Sequence, residues 1–389
     1  MKKLLVMILC LTLTVSSACA EETVLNILGG SEGFWEVQFA QDHPEITLCH
    51  SDAEMSGQAY LTMLMTNDKY DVYELPVGPL YEALKEKGYL LPIETSEAVQ
   101  CFSDRLYPYL QPVLLKDGQL YGVPIPSEED MVECVSWSVW SYAKELWQEE
   151  GLGELPATYE ELLTRMIDWE KNGGDSAYRL IDVNLDPGGF VATVFRAYVL
   201  QYETKNEVLS FDTPVFRQIM TLLKEYHDLY QPLDNRQALI LPYGGYMSES
   251  GEEGYTWMAP PVFVEDQTAS ITASMNIYAV NARAKHPKEA FVYIEAPLQA
   301  QNEPSLLMMV QQEAREIKAG NWFAVTQVQA EQVQALTKQV CINTQSEFLS
   351  GNHYYDMENM TQQYLQGSLP LDMLIKELDQ RVQMVMKEK

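Results

Sequence analysis

Gly29-Gly30-Ser31-Glu32-Gly33 follows directly on the apolar run Val24-Leu25-Asn26-Ile27-Leu28 and matches the pattern G-x-S-x-G. A serine on a sharp strand-to-helix turn is the nucleophile elbow of a serine hydrolase, which also needs a downstream acid and histidine. His353 is the best of the histidines for that role, no convincing acid accompanies it, and an elbow on the first strand has no sheet built ahead of it. The same glycine-rich turn can instead present backbone N–H groups and side chains to a bound molecule. Glu74 ends the apolar run 70–75, and a carboxylate at the carboxyl end of a strand accepts hydrogen bonds from hydroxyls or an amine. Glu128, Glu129 and Asp130 are adjacent, so they cannot flank a glycosidic bond at the separation hydrolysis requires. Most such acids are solvated surface groups, and Glu128 is kept as the one cleft carboxylate.

Flat rings offer apolar faces to sugar C–H groups while their polar edges bond hydroxyls. Tyr243, Tyr246 and Trp257 lie in or beside glycine- and proline-rich segments and are the ring candidates; Asn276, with Tyr278, is a further polar candidate on a later strand. Trp137 and Trp140, three residues apart, read as core. The five histidines show no metal-binding spacing, and His50 beside Cys49 reads as structural. Gly151-x-Gly153 lacks the third glycine of a dinucleotide fingerprint. No cofactor and no metal are expected.

These residues need elements to hold them. Short apolar runs at 24–28, 46–49 and 70–75 alternate with helical stretches at 34–41 and 58–65, a pattern of βαβ units and a parallel sheet. Pro79 to Lys87 reads as a helix stopped at Gly88. Asp117-Gly118 between apolar runs predicts a hairpin, and the strand Leu120–Val123 then meets Pro124 and Pro126, which end it or take it out of its sheet. Thr158 and Glu161 form a capping box before a stripe of Tyr159, Leu162, Leu163, Met166 and Ile167. Thr213-Pro214 opens a helix whose face is Val215, Ile219, Leu222, Leu223 and Tyr226. Residues 274–281 read as a strand, 287–295 as a helix, and 372–387 as a closing helix with Leu374, Ile375, Leu378, Val382 and Val385 as its stripe.

The start of the chain carries a secretory leader. Lys2 and Lys3 precede the apolar stretch 4–15, and Ala18-Cys19-Ala20 offers cleavage before Glu21, which makes residues 1–20 a signal peptide. Cys19 gives a second reading, lipidation of the cysteine, although Ser16 is a poor residue for that signal. The formal net charge is −30, from 56 acidic and 26 basic residues, and loss of the leader makes it more negative still. Such a chain repels nucleic acid and anionic lipid. Cys49, Cys101, Cys134 and Cys341 have no CxxC spacing and read as buried free thiols.

Taken in order, several segments resemble the bacterial extracellular solute-binding proteins of the maltose-binding-protein-like type that serve ABC importers. They are Tyr70-Asp71-Val72-Tyr73, Gly88-Tyr89-Leu90-Leu91-Pro92, the stretch 116–126, Gly151-Leu152 with 155–163, Ala259-Pro260-Pro261, and 278–291. The resemblance spans nearly the whole mature chain, except 299–320. It implies an α/β, two-lobe periplasmic-binding-protein-like (type II) fold, each lobe a mainly parallel sheet flanked by helices, with a hinge of crossing segments. It places residues 21–126 plus about 268–320 in the N-terminal lobe and 127–267 plus about 321–389 in the C-terminal lobe, with 117–126 as a hinge segment. It implies no catalysis, a solute held between the lobes, a membrane permease as partner, and a monomer. The first binding loop of that family falls at Ser31, Glu32 and Trp35. A carbohydrate is the favoured solute; a cationic or peptidic solute is the alternative within the class, and a secreted hydrolase using Ser31 the alternative outside it.

Overall fold

β1 (Thr23–Leu28), β2 (Ile46–Ser51) and β3 (Val72–Pro76) are joined through α1 (Glu36–Asp42) and α2 (Gly57–Thr66). β1 pairs in parallel with β2 along its length and with β3 at Ile27 and Leu28. Leu25, Ile27, Val72, Tyr73 and Leu75 are fully buried, which is why these strands read as nearly continuous apolar runs. The computed structural model describes residues 23–29, 35–51, 57–125, 135–137, 139–172, 177–182, 187–204, 208–230, 237–244, 255–265, 267–299, 335–336, 338, 340–343 and 351–388.

α3 (Pro79–Glu86), α4 (Glu97–Arg105) and α5 (Gln111–Leu114) follow. The predicted hairpin is present as β4 (Leu115–Lys116) and β5 (Gln119–Leu120), with Asp117 at φ 53° and Gly118 at φ 77°. Two positive φ values in succession are what a tight hairpin turn needs. The strand after it is shorter than expected and stays in the sheet: β6 (Val123–Pro124) pairs antiparallel with β12 (Ala269–Val280). Pro124 lies opposite Ile277, and the next residue, Ile125, donates its N–H to the Asn276 carbonyl at 3.1 Å. Pro124 therefore occupies a non-hydrogen-bonded position, where a missing N–H costs the ladder nothing.

The chain continues through β7 (Val135–Trp137), β8 (Val139–Ala143), α6 (Lys144–Glu149), α7 (Tyr159–Asn172), β9 (Tyr178–Ile181), α8 (Pro187–Thr204), α9 (Pro214–Leu229), β10 (Gln237–Gly244) and β11 (Tyr255–Met258). After β12 come α10 (Pro287–Gln299), β13 (Val340–Asn343), α11 (Gly351–Leu365) and α12 (Leu371–Glu388). The capping box at α7 forms as read: the Glu161 N–H donates to Thr158 Oγ1 at 3.2 Å, and the Ala157 N–H donates to Glu161 Oε2 at 2.8 Å. All five predicted stripe residues of α7 and all five of α12 are buried. On α9 the buried face is Phe216, Ile219, Met220, Leu223 and Tyr226, so Val215 and Leu222 fall to its margin.

The first sheet runs β13-β12-β3-β1-β2, with β6 and β7 also on β12; the second runs β11-β8-β10-β9. In the first sheet β1–β2, β1–β3 and β12–β13 are parallel while β12 pairs antiparallel with β3, β6 and β7, and in the second only β10–β9 is parallel, so both sheets are mixed rather than mainly parallel. There are two hydrophobic cores. One gathers residues from β1 to Val139 together with β12, α10, Leu336 and Val340; the other gathers Trp140 to Phe263 together with Met357 to Val385. The chain thus changes core between Val139 and Trp140, between Phe263 and Ala269, and between Val340 and Met357. β13 pairs with β12, so residues 340–343 lie in the first sheet.

Cys49 and Cys101 are free thiols as expected, but both are exposed rather than buried. They sit on an outward strand position and an outward helix face. Among the described residues no helix is long and apolar enough to cross a membrane.

Asp71, 1% exposed, ties the first sheet to α10. Its Oδ1 accepts the N–H groups of Lys285 at 2.7 Å and His286 at 3.0 Å, and its Oδ2 accepts that of Asn26 at 3.1 Å. Asn281 adds side-chain donations to the carbonyls of Asn67 and Tyr70. Asp71→Ala leaves buried donors without an acceptor, and urea unfolding is expected to show a loss of about 3 kcal/mol. A loss below about 1 kcal/mol would mean that water replaces the carboxylate.

Candidate functional site

The carboxyl edge of β1–β3 is where the first sheet stops and its loops begin. Gly29 closes against Ser51, its N–H donating to the Ser51 carbonyl at 3.0 Å. Glu74 packs its side chain directly over Gly29, so that a Cβ at position 29 would run into it. Glycine is thus required by close approach rather than by backbone angle. Glu74 is half-buried; burial first, and the Glu74 carboxylate second, push the Tyr60 hydroxyl pKa upward. Asn276, opposite Pro76 across the β12–β3 ladder, is exposed at the same edge.

A polar network lies under this edge. Glu36 Oε1 accepts the Tyr293 hydroxyl at 2.6 Å, and Glu36 Oε2 stands 3.1 Å from His50 Nε2. His50 Nδ1 is 3.4 Å from the Gly29 carbonyl. Both ring nitrogens of His50 therefore face acceptor oxygens, an arrangement that the doubly protonated ring satisfies in full. Burial pushes the hydroxyl pKa values of Tyr278 and Tyr293 up, so both remain neutral.

A small pocket of about 60 Å³ lies between the cores. Thr193, Arg196, Ala197 and Leu200 share one face of α8 at helical spacing, and Ser270, Ile271 and Thr272 of β12 stand across from them. Trp140, Tyr159, Pro242 and Pro260 complete the lining. Ile271 belongs to the first core and Trp140 and Tyr159 to the second, so the pocket spans the two. Thr193 Oγ1 donates to the Gly189 carbonyl at 3.2 Å.

The sequence candidates divide as follows. Glu74 and Asn276 meet at the sheet edge. Trp35 is next to the edge but only 4% exposed, with its ring against Phe39, Tyr278 and Tyr293 at centroid distances of 6.1, 6.1 and 4.8 Å. It packs into the first core and presents no free face. Trp257 is partly buried on β11, opposite Ser141, and packs against the first core. Tyr243 falls at the end of β10, with its side chain outside what is described. Ser31, Glu32, Glu128 and Tyr246 lie outside the described residues, as does Cys19. His353 falls on α11, whose Met357 and Tyr364 pack in the second core, whereas the strand before Ser31 belongs to the first. Among the described residues no His, Cys, Asp and Glu group is arranged to hold a metal ion. Sequence reading passed over Arg196, Thr193, Ser270 and Thr272. A lone charge inside the apolar stretch 190–200 was the available signal.

Two cores joined by strands that pass from one to the other define the two-lobe fold of periplasmic-binding-protein-like proteins. Solved structures share it over nearly the whole chain. The binding protein MsmE of Bacillus subtilis, in an open conformation, superposes with a TM-score of 0.63 at 13% identity, covering 95% of this chain and 98% of that one. The GacH receptor of Streptomyces glaucescens GLA.O, solved unliganded and with acarbose and an acarbose homologue, gives 0.58 at 14% identity over 94% and 99%. AcbH, a bacterial solute receptor with a substrate preference for β-D-galactopyranose, gives 0.57 at 14% identity over 94% and 98%. No family model and no curated protein matches the chain.

Gly29→Ala is expected to destabilise the chain by about 1–3 kcal/mol through overpacking against Glu74. In the Glu74→Gly background most of that loss should vanish when thermal melts of the single and double variants are compared. Equal losses in both backgrounds would show that the close approach is not what makes position 29 a glycine.

Proposed function

We propose that this chain is the extracellular solute receptor of an ABC importer and that it captures a saccharide between its two lobes without transforming it. One observation carries the reading: a polar sheet edge stands on one of two cores, and a pocket is lined from both, in a fold whose solved examples include receptors for acarbose and β-D-galactopyranose. Ligands of open α/β sheets bind beyond the carboxyl ends of strands, and interdomain clefts favour small-molecule sites. Glu74 and Asn276 supply an acceptor and an amide for sugar hydroxyls. Ser31, Glu32, Glu128, Tyr243 and Tyr246 are further ligand contacts in this reading, with Trp257 on β11 of the second sheet. Removal of residues 1–20 would leave Glu21 as the first residue of a secreted receptor, with Cys19 as the anchor if the chain is lipidated instead. A permease docks the closed, solute-loaded form, and the receptor works as a monomer.

Isothermal titration of the mature chain against maltotriose, xylotriose, galactose and their uronate counterparts tests this. One saccharide should bind per chain, and Glu74→Ala should weaken it about tenfold, the loss of one charge-assisted hydrogen bond. Absence of binding to every saccharide, with binding to a polyamine or peptide, would refute the sugar reading.

A further inference from the structure

We infer that Glu36 and His50 are a positioning pair beneath the sheet edge: with its ring doubly protonated, His50 fixes the Gly29 turn and through it Glu74, so that solute affinity falls as the ring loses its charge. The inference rests on the receptor reading above and adds a pH response to it. The pair joins elements far apart in the chain. Glu36 stands in the first turn of α1, His50 near the end of β2 and Tyr293 on α10. The Glu36 and His50 side chains are 10% and 14% exposed. Glu36 Oε1 accepts the Tyr293 hydroxyl at 2.6 Å, Glu36 Oε2 faces His50 Nε2 at 3.1 Å, and His50 Nδ1 faces the Gly29 carbonyl at 3.4 Å. Gly29 in turn has the Glu74 side chain packed so closely against it that no Cβ fits between them. A shift of the Gly29 backbone is therefore passed on to the carboxylate that the receptor reading places on solute.

The charge on the ring decides how many of these contacts hold. An imidazolium has an N–H on each nitrogen and donates to Glu36 and to the Gly29 carbonyl at once. A neutral ring has one N–H. If it stays on Nε2, the Nδ1 lone pair meets the Gly29 carbonyl oxygen; if it moves to Nδ1, Glu36 loses a donor. Either way a buried acceptor is left short of a partner. Among the described residues the titratable groups around the pair come from four elements: Glu36 on α1, Tyr293 on α10, Tyr278 on β12 and Glu74 on β3. Burial above all keeps the Tyr278 and Tyr293 hydroxyls neutral, and the two carboxylates favour a positive ring. An imidazole without partners titrates at about pH 6.5, so the switch lies within the range where proteins work. The contribution is complete below the histidine range and is lost as pH rises through it.

The test titrates the mature full chain with maltotriose, xylotriose and galactose, which carry no titrating group, at pH 5.5, 7.0 and 8.5. The saccharide that binds should lose about fivefold in affinity between the lowest and highest pH, the effect of one hydrogen bond. The midpoint of that loss should match the titration of the His50 ring in 15N NMR spectra, a comparison made in the wild type and independent of how variants fold. His50→Gln keeps a donor but takes up no charge, and its affinity should not change with pH. Glu36→Gln should move the midpoint to lower pH. Thermal melts over the same range separate positioning from stability: a melting temperature that falls with pH while affinity stays constant makes the pair structural and overturns the inference. A pH profile of equal size in His50→Gln assigns it to another group and overturns it too. Both of these results leave the receptor reading standing, whereas no binding of any saccharide at any pH removes both.

Discussion

The pairing of β12 along its whole length is the constraint on which the rest of the molecule depends. Twelve residues at roughly 3.4 Å each make a strand on the order of 40 Å long. Residues 276–280 pair with β3 and 277–278 with β6, residues 273–275 pair with β7, and residues 269–272 pair with β13. One strand is thereby held in the first sheet at its end and faces α8 of the second core near its start. A backbone ladder of this kind bends and twists, but it does not slide, since a slip by one residue would turn every buried side chain outward. Motion between the cores must be taken up where the chain changes core. Gly122 shows how closely β12 is enclosed: a Cβ there would meet the side chain of Ile277.

Polar groups are placed by the same ladder. Asn276 and Glu74 come to one edge because β12 runs antiparallel to β3 with Asn276 opposite Pro76 and Tyr278 opposite Glu74. Ser270 and Thr272 come to the pocket because they lie at the other end of β12, at alternate positions that point to one face. The buried network of Glu36, His50 and Tyr293 sits between the edge and the core and gives Glu36 a donor on each oxygen. Neutral tyrosines held neutral by burial donate without bringing charge into the core. These polar groups thus lie on strands, where packing limits their movement.

Much of the fold was legible because its signals are local. The Asp117-Gly118 turn, the Thr158 capping box, the Pro79 and Thr213-Pro214 helix starts and the stripe of α12 each rest on a few neighbouring residues. The pairing of Pro124 was not legible, because proline alone does not reveal whether its position in a ladder needs an N–H; that depends on β12, which lies far along the chain. The burial of Trp35 was missed for a related reason. Its partners Tyr278 and Tyr293 arrive from the far end of the sequence, so a ring beside a glycine-rich loop looked free. The placing of Glu74 and Asn276 at the sheet edge was legible because strand ends are predictable. Arg196 and its companions were not, since a pocket made by α8 and β12 exists only once two distant segments meet.

Small-angle X-ray scattering of the mature chain, with and without a saturating saccharide identified by titration, tests most directly whether solute is held between two lobes that close about β12. The account predicts a smaller radius of gyration and a shorter maximum dimension on binding, with no change in molecular mass. Identical scattering curves with and without bound saccharide would contradict it.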